Sequence, residues 1–184
     1  AHTPESPVLA EDAVAPPGRQ LLSLVNSADA GLAGHRSHPE RPSVPLTASH
    51  LLINSPRDHT ANFEIQREIT SADRVDLLVS FLKWSGWRLV RDRIREFLER
   101  RPSGLRVLTT TYMGATDRKV LDELVGLGAQ VKVSFDTRRT RLHAKAWLFH
   151  RDSGYSTALV GSSNLSAAAL VDGLEWNVRL SQIE

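Results

Sequence analysis

Apolar positions along the chain show two textures that meet near residue 48. Upstream, Pro4, Pro7, Pro16, Pro17, Pro39, Pro42 and Pro45 interrupt Ala, Ser, Glu and Gly, and the only apolar patch is Leu21, Leu22, Leu24 and Val25. Such a stretch buries too little surface to offset its ordering entropy, so residues 1–47 read as an N-terminal arm or linker. Downstream, Phe63, Ile65 and Ile69 recur at nearly helical spacing within 62–71, and 74–81 is an apolar run of strand length. Residues 87–100 place Leu89, Val90, Ile94, Phe97 and Leu98 on one face, and Pro102-Ser103-Gly104 stops that helix before a strand at 105–110. A helix from Thr116, read as its N-cap, runs to Val125 and stops at Gly126 and Gly128; 130–135 is the next strand. This β-α-β-α-β order predicts parallel pairing with right-handed crossovers. Segments 142–149 and 156–160, joined by Arg151-Asp152-Ser153-Gly154, predict a hairpin, followed by a short helix at 166–170 and a strand at 174–180. The expected fold is α/β: one mixed, mostly parallel sheet with helices on both faces, in a domain spanning 48–184.

Composition narrows the class without naming a chemistry. With 184 residues, 41% hydrophobic and 24% charged, the chain suits a single globular core. Cysteine is absent, which excludes disulfides, thiolate catalysis and cysteine zinc sites and fits a reducing, cytoplasmic compartment. No apolar run approaches the ~20 residues that span a bilayer, so no membrane partner is expected. The net charge is only +2, so a polyanionic partner has to be argued from local clusters. His35 and His38 make an HxxH pair in the arm, but without cysteines or nearby ordered carboxylates no metal site is expected. The chain opens at Ala1 and stops in mid-pattern at Glu184, the expectation being a fragment of a longer protein.

The residues that carry chemistry lie in the second half. Strand alternation puts His143 and Lys145 on one face, able to meet one anion. Gly161-Ser162-Ser163-Asn164 follows a strand and opens a helix, where backbone N–H groups and side-chain donors favour a phosphate. A neutral imidazole is a competent nucleophile toward phosphorus; Lys145 supplies a point charge and Asn164 a neutral donor. Glu175 could accept from the far imidazole nitrogen and fix its tautomer. Around the site Lys132, Arg138, Arg139, Arg141, Lys145 and Arg151 outnumber Asp136 and Asp152. A second cluster, Lys83, Arg88, Arg91, Arg93 and Arg95, adjoins Trp84 and Trp87. Cations beside aromatic faces suit a sugar-phosphate chain with unstacked bases, with little sequence preference. The plainer readings are that the 83–95 cluster is a solvated helix face and that Trp84, Trp87 and Trp176 are core residues.

Together these strings resemble the HKD signature of the phospholipase D superfamily, H-x-K-x4-D-x6-G-S-x-N, with His143, Lys145, Gly161, Ser162 and Asn164 in place. The signature's Asp position falls on His150, with Asp152 two residues on, and Gly161 lies four residues beyond its expected place. A longer hairpin at Arg151 to Gly154 explains both departures. The stretch from Leu51 to Leu180, with Phe81-Leu82-Lys83-Trp84-Ser85-Gly86, 109–116 and Gly173-Leu174-Glu175-Trp176-Asn177, is similar to the phospholipase D-like domain that precedes DEAD/DEAH-box helicase motors in bacteria. The resemblance implies the phospholipase D/nuclease-like fold and a two-step phosphodiester cleavage through a phosphohistidine, with neither metal nor other cofactor. His143, Lys145, Asn164, Ser162 and Glu175 would be catalytic; Gly161, Ser163, Arg138, Arg139, Arg141 and Lys83 would bind phosphate or nucleic acid. In the family a second motif supplies the general acid, so this single-motif chain is expected to form a homodimer across the site. The expected partners are DNA or RNA and a helicase motor in the parent chain. The alternative is a catalytically weak or inactive nucleic-acid phosphate-binding module, and a lipid phosphodiesterase ranks last. No GxxxxGK[ST] loop is present, so ATP hydrolysis is not expected of this segment.

Overall fold

The structure is a computed structural model that describes residues 41–55, 59–136, 138–139 and 141–183. Among the described residues seven strands form one sheet: β1 (His50–Leu52), β2 (Arg74–Val79), β3 (Leu105–Thr110), β4 (Gln130–Ser134), β5 (Lys145–His150), β6 (Thr157–Gly161) and β7 (Asn177–Ser181). Their order is β1-β7-β6-β5-β2-β3-β4. The same described residues hold the helices α1 (Ala61–Ser71), α2 (Trp84–Arg100) and α3 (Arg118–Gly126), a 3-10 turn at Tyr112–Gly114 and a π-helical turn at Ala168–Asp172.

The β2-α2-β3-α3-β4 unit is parallel, as its sequence pattern predicts. From β5 onward the chain meanders: β5 runs antiparallel to β2, β6 to β5, β7 to β6, and β1 to β7. The sheet is mixed as expected, but four of its six neighbouring pairings are antiparallel, which corrects the expectation of a mostly parallel sheet. The reversal is local in origin, since the Arg151 to Gly154 turn, closed by Gly154 at φ 82°, is too short for a parallel crossover.

Register fixes the two faces. Val75, Leu77, Val79, Leu105, Val107, Trp147, Phe149 and Leu159 share one side and are buried beneath the helices with Ile65, Ile69, Trp87, Val90, Ile94 and Phe97. Each of the largest of these contributes roughly 1.5–3 kcal/mol of burial. On the opposite side Leu78, Leu108, Ala146, Leu148 and Ala158 are half-buried and Leu51, Val160, Val178 and Leu180 are exposed. Among the described residues the helices therefore lie on one face, not on both. Two right-handed crossovers that step the same way along a sheet, β2 to β3 and β3 to β4, place both helices on the same side.

A buried ionic cluster ties the sheet to its first helix. Glu68 on α1 accepts from Arg179 Nε at 2.9 Å, from Thr157 Oγ1 at 2.8 Å and from Arg151 Nη2. Arg179 Nη1 also donates to the carbonyls of Pro45 and Ala48, both at 2.6 Å. Val44 and Leu46 are buried, so the folded body includes residues before the boundary expected at 48. The Leu21 to Val25 patch and the His35/His38 pair lie outside the described residues.

Candidate active site

Lys145, the first residue of β5, pairs with Val79, the last of β2, and Gly161, the last of β6, pairs with Asn177, the first of β7. One end of the sheet thus gathers the loops that carry every catalytic residue the sequence nominates. Strand pairing begins at Lys145 rather than at 142, so His143 sits in the irregular approach to β5, exposed to solvent. Lys145 Nζ donates to the His143 carbonyl at 3.0 Å. Partial burial holds the Lys145 ammonium below the usual lysine range, and the negative charge of Glu175 pulls the other way. Glu175 therefore acts electrostatically on Lys145; among the described residues no hydrogen bond joins it to His143, contrary to the orienting role expected for it.

The Gly161–Asn164 string is built around β7. A methyl group on Gly161 would overlap the Trp176 carbonyl, so only glycine lets the two strands approach here. Ser162 donates to the Trp176 carbonyl from its N–H at 3.0 Å and from its hydroxyl at 3.3 Å, while the Trp176 N–H donates to Ser162 Oγ at 3.1 Å. Ser162 thereby fixes the Glu175–Trp176 backbone. Ser163 turns inward, donating to the Ala169 carbonyl at 3.2 Å and accepting from Asn177 Nδ2 at 2.8 Å, so its buried hydroxyl is not the phosphate ligand the sequence suggested. Asn164 Oδ1 accepts from the Phe81 N–H at 3.2 Å, which leaves its Nδ2 to donate elsewhere. The string leads into one short helical segment, an α-helical Ala167 followed by the five π-helical residues Ala168–Asp172, close to the short helix expected at 166–170.

The neighbouring loop is zipped to this one. Lys83 N–H donates to the Leu165 carbonyl at 2.8 Å, and Gly86 approaches the Leu165–Ser166 peptide too closely for any Cβ. Asp117 Oδ2 accepts from the Trp84 N–H at the start of α2 at 2.8 Å and pairs with Lys83 at 3.6 Å, so Lys83 is neutralised in place. Lys119 lies 3.7 Å above the Trp84 ring. Arg93 and Arg95 pair with Glu96 and Asp92, in keeping with a solvated helix face.

On the β3–β4 side, Arg138 and Arg139 are exposed, their backbone N–H groups donating to Asp136 Oδ1 at 3.1 and 2.9 Å. The Arg141 guanidinium lies 5.6 Å from the Tyr112 ring centre. Trp87 is fully buried, but Trp176 is 67% and Leu174 87% exposed on either side of Glu175, so Trp176 is not the core residue its type suggested. No group of side chains suited to hold a metal occurs among the described residues.

His150, at the signature's Asp position, bonds through Nε2 to Asp76 Oδ2 at 2.9 Å. Asp76 in turn accepts both Arg106 bonds, each at 2.6 Å, and chiefly that pair holds its carboxyl below the usual range. The carboxylate expected on β5 is thus supplied by the adjacent strand β2. Sequence reading missed Asp76, although a lone acid within an apolar strand run was the available signal.

The family described as "Cardiolipin synthase, PLD-like domain" matches residues 65–184. Among solved structures, NucT from Helicobacter pylori is similar at 18% identity and a TM-score of 0.53, over 72% of this chain and 84% of that one. Nuc, a phospholipase D family member from Salmonella typhimurium, is similar at 17% identity and 0.52, over 73% and 82%. Polyphosphate kinase from Porphyromonas gingivalis shares the fold at 13% identity and 0.51, over 92% of this chain and 27% of that one. No curated protein matches the chain. No helix among the described residues is long and apolar enough to cross a membrane. A mixed sheet whose HxK and GSxN strings meet at one end, with the family matched over residues 65–184, establishes that the chain belongs to the phospholipase D-like family.

Proposed function

We propose that this domain is a metal-independent phosphodiesterase acting on nucleic acid, serving as the nuclease-like module of a helicase. The observation that carries the reading is the meeting of His143, Lys145, Asn164 and Glu175 at one end of the sheet, on loops bonded to one another. In the first step an imidazole nitrogen of His143 attacks phosphorus, the bond from phosphorus to the leaving oxygen breaks, and that oxygen takes a proton from His143 of a second copy. In the second step the now neutral imidazole of the second copy takes a proton from water, the hydroxide attacks phosphorus, and the phosphohistidine bond breaks. Lys145 and Asn164 Nδ2 hold the non-bridging oxygens as charge builds on them. Leu174 and Trp176, exposed beside Glu175, supply apolar surface for the second copy to cover.

The test is cleavage of DNA and RNA oligonucleotides in EDTA, with phosphatidyl lipid as a parallel substrate and light scattering to count subunits. Cleavage that falls roughly 10³-fold in His143→Ala, with radiolabelled phosphorus trapped on His143 of a dimer, supports the reading. Intact oligonucleotide with salt-sensitive binding turns it to the binding-only alternative, lipid turnover to the third, and an active monomer removes the second copy from the mechanism.

A further inference from the structure

Beside His143, the open side of the sheet carries a groove of about 470 Å³ lined by Leu108, Ser134, Arg141, Leu142, His143 and Ala144. Its walls are of two kinds. Leu108, Leu142 and Ala144 are apolar and part-exposed, whereas a site built only for phosphate would present donors. Arg141 is the cation of the groove, and its guanidinium lies over the Tyr112 ring. Tyr112 belongs to a turn bonded to the end of β4 through Thr111 N–H and the Ser134 carbonyl at 3.1 Å. Met113 and Phe135, each 76% exposed, directly follow Tyr112 and Ser134 in the chain, so the same corner holds aromatic and thioether surface in water.

Resting on the phosphodiesterase reading above, we infer that this groove is a base-binding subsite for the nucleotide next to the scissile phosphate. The planar base would lie on Leu108 and Leu142, with the Arg141 guanidinium, supported by Tyr112, covering it or clasping its phosphate. A base can enter only if it leaves its stack and its pair, so the substrate class is unpaired nucleic acid: single strands, frayed ends or flaps. The apolar floor has no base-reading donors, which makes the subsite tolerant of sequence while demanding a base. That demand separates it from a purely electrostatic track, on which a missing base costs nothing.

The experiment is an abasic scan. Single-stranded oligonucleotides carrying one tetrahydrofuran residue at successive positions are tested for cleavage and for binding by fluorescence anisotropy, beside an intact strand and a blunt hairpin. A loss of about tenfold at one position flanking the cut, with the hairpin poorly used, is expected, on the scale of one stacked base. Leu108→Trp, which fills the groove, and Tyr112→Ala, which removes the support of Arg141, should each bring the intact-to-abasic ratio close to one. A flat scan with the intact strand cleaved overturns the subsite and leaves the phosphodiesterase reading standing. If no strand is cleaved, that reading fails, and the anisotropy scan still decides whether a base is held.

Discussion

A methyl group on Gly161 would overlap the Trp176 carbonyl and come within 2.5 Å of Asn177 Oδ1, both fixed parts of β7 and its approach. Gly161→Ala should therefore cost about 1–3 kcal/mol in urea denaturation, as overpacking does, and lower kcat further by displacing Glu175. At Asp76 the effect is on pH. The Arg106 bonds lower the folded carboxyl below its unfolded value, so their stabilisation is complete above that unfolded value, about 4, and is lost as pH falls through the lowered one. Urea midpoints measured from neutral pH into this acid window should fall for the native chain and fall less steeply for Asp76→Asn. Lys145 carries the opposite sign of consequence: with its pKa lowered by burial, phosphate-analogue binding should weaken at a pH below that of an ordinary lysine site. His143, Lys145 and Asn164 were legible in the sequence because the HxK and GSxN strings are local. Asp76, the inward turn of Ser163 and the exposure of Trp176 were not, because each depends on a partner from another strand or on the absence of one.

At the scale of elements, α2 starts without a cap of its own, since Lys83 makes no side-chain bond to it. The cap comes from Asp117, 33 residues away, which accepts from the Trp84 N–H. Asp117→Ala should cost about 1 kcal/mol, the usual worth of an N-cap, and thermal melts should show it. Thr116 looked like the cap of α3, but its hydroxyl donates across the sheet to the Ser80 and Thr110 carbonyls, and Asp117 precedes the helix instead. Elements with a full period, β3 and α2 above all, were legible; β3 has its predicted bounds at Leu105–Thr110. β1 was not, because three residues carry no period and its pairing with β7 alone defines it. The side on which the helices lie was also hidden, since it follows from the order of strands in space and not from any one segment.

For the whole molecule, Glu68 on α1 is the common acceptor for the β5–β6 turn, β6 and β7. Glu68→Gln should cost about 3–5 kcal/mol in equilibrium unfolding, because it leaves two buried guanidiniums without a counter-charge. The same cluster joins Pro45 to Arg179, a separation of 134 residues, and among the described residues β1 has no strand partner except β7. A polypeptide leaving the ribosome must therefore hold residues 44–52 without these partners until β7 emerges, and loop closure over that distance is slow. Stalled nascent chains offered to a protease should have residues 41–52 cut in every length that keeps Ser181 inside the exit tunnel, and protected only once it has passed out.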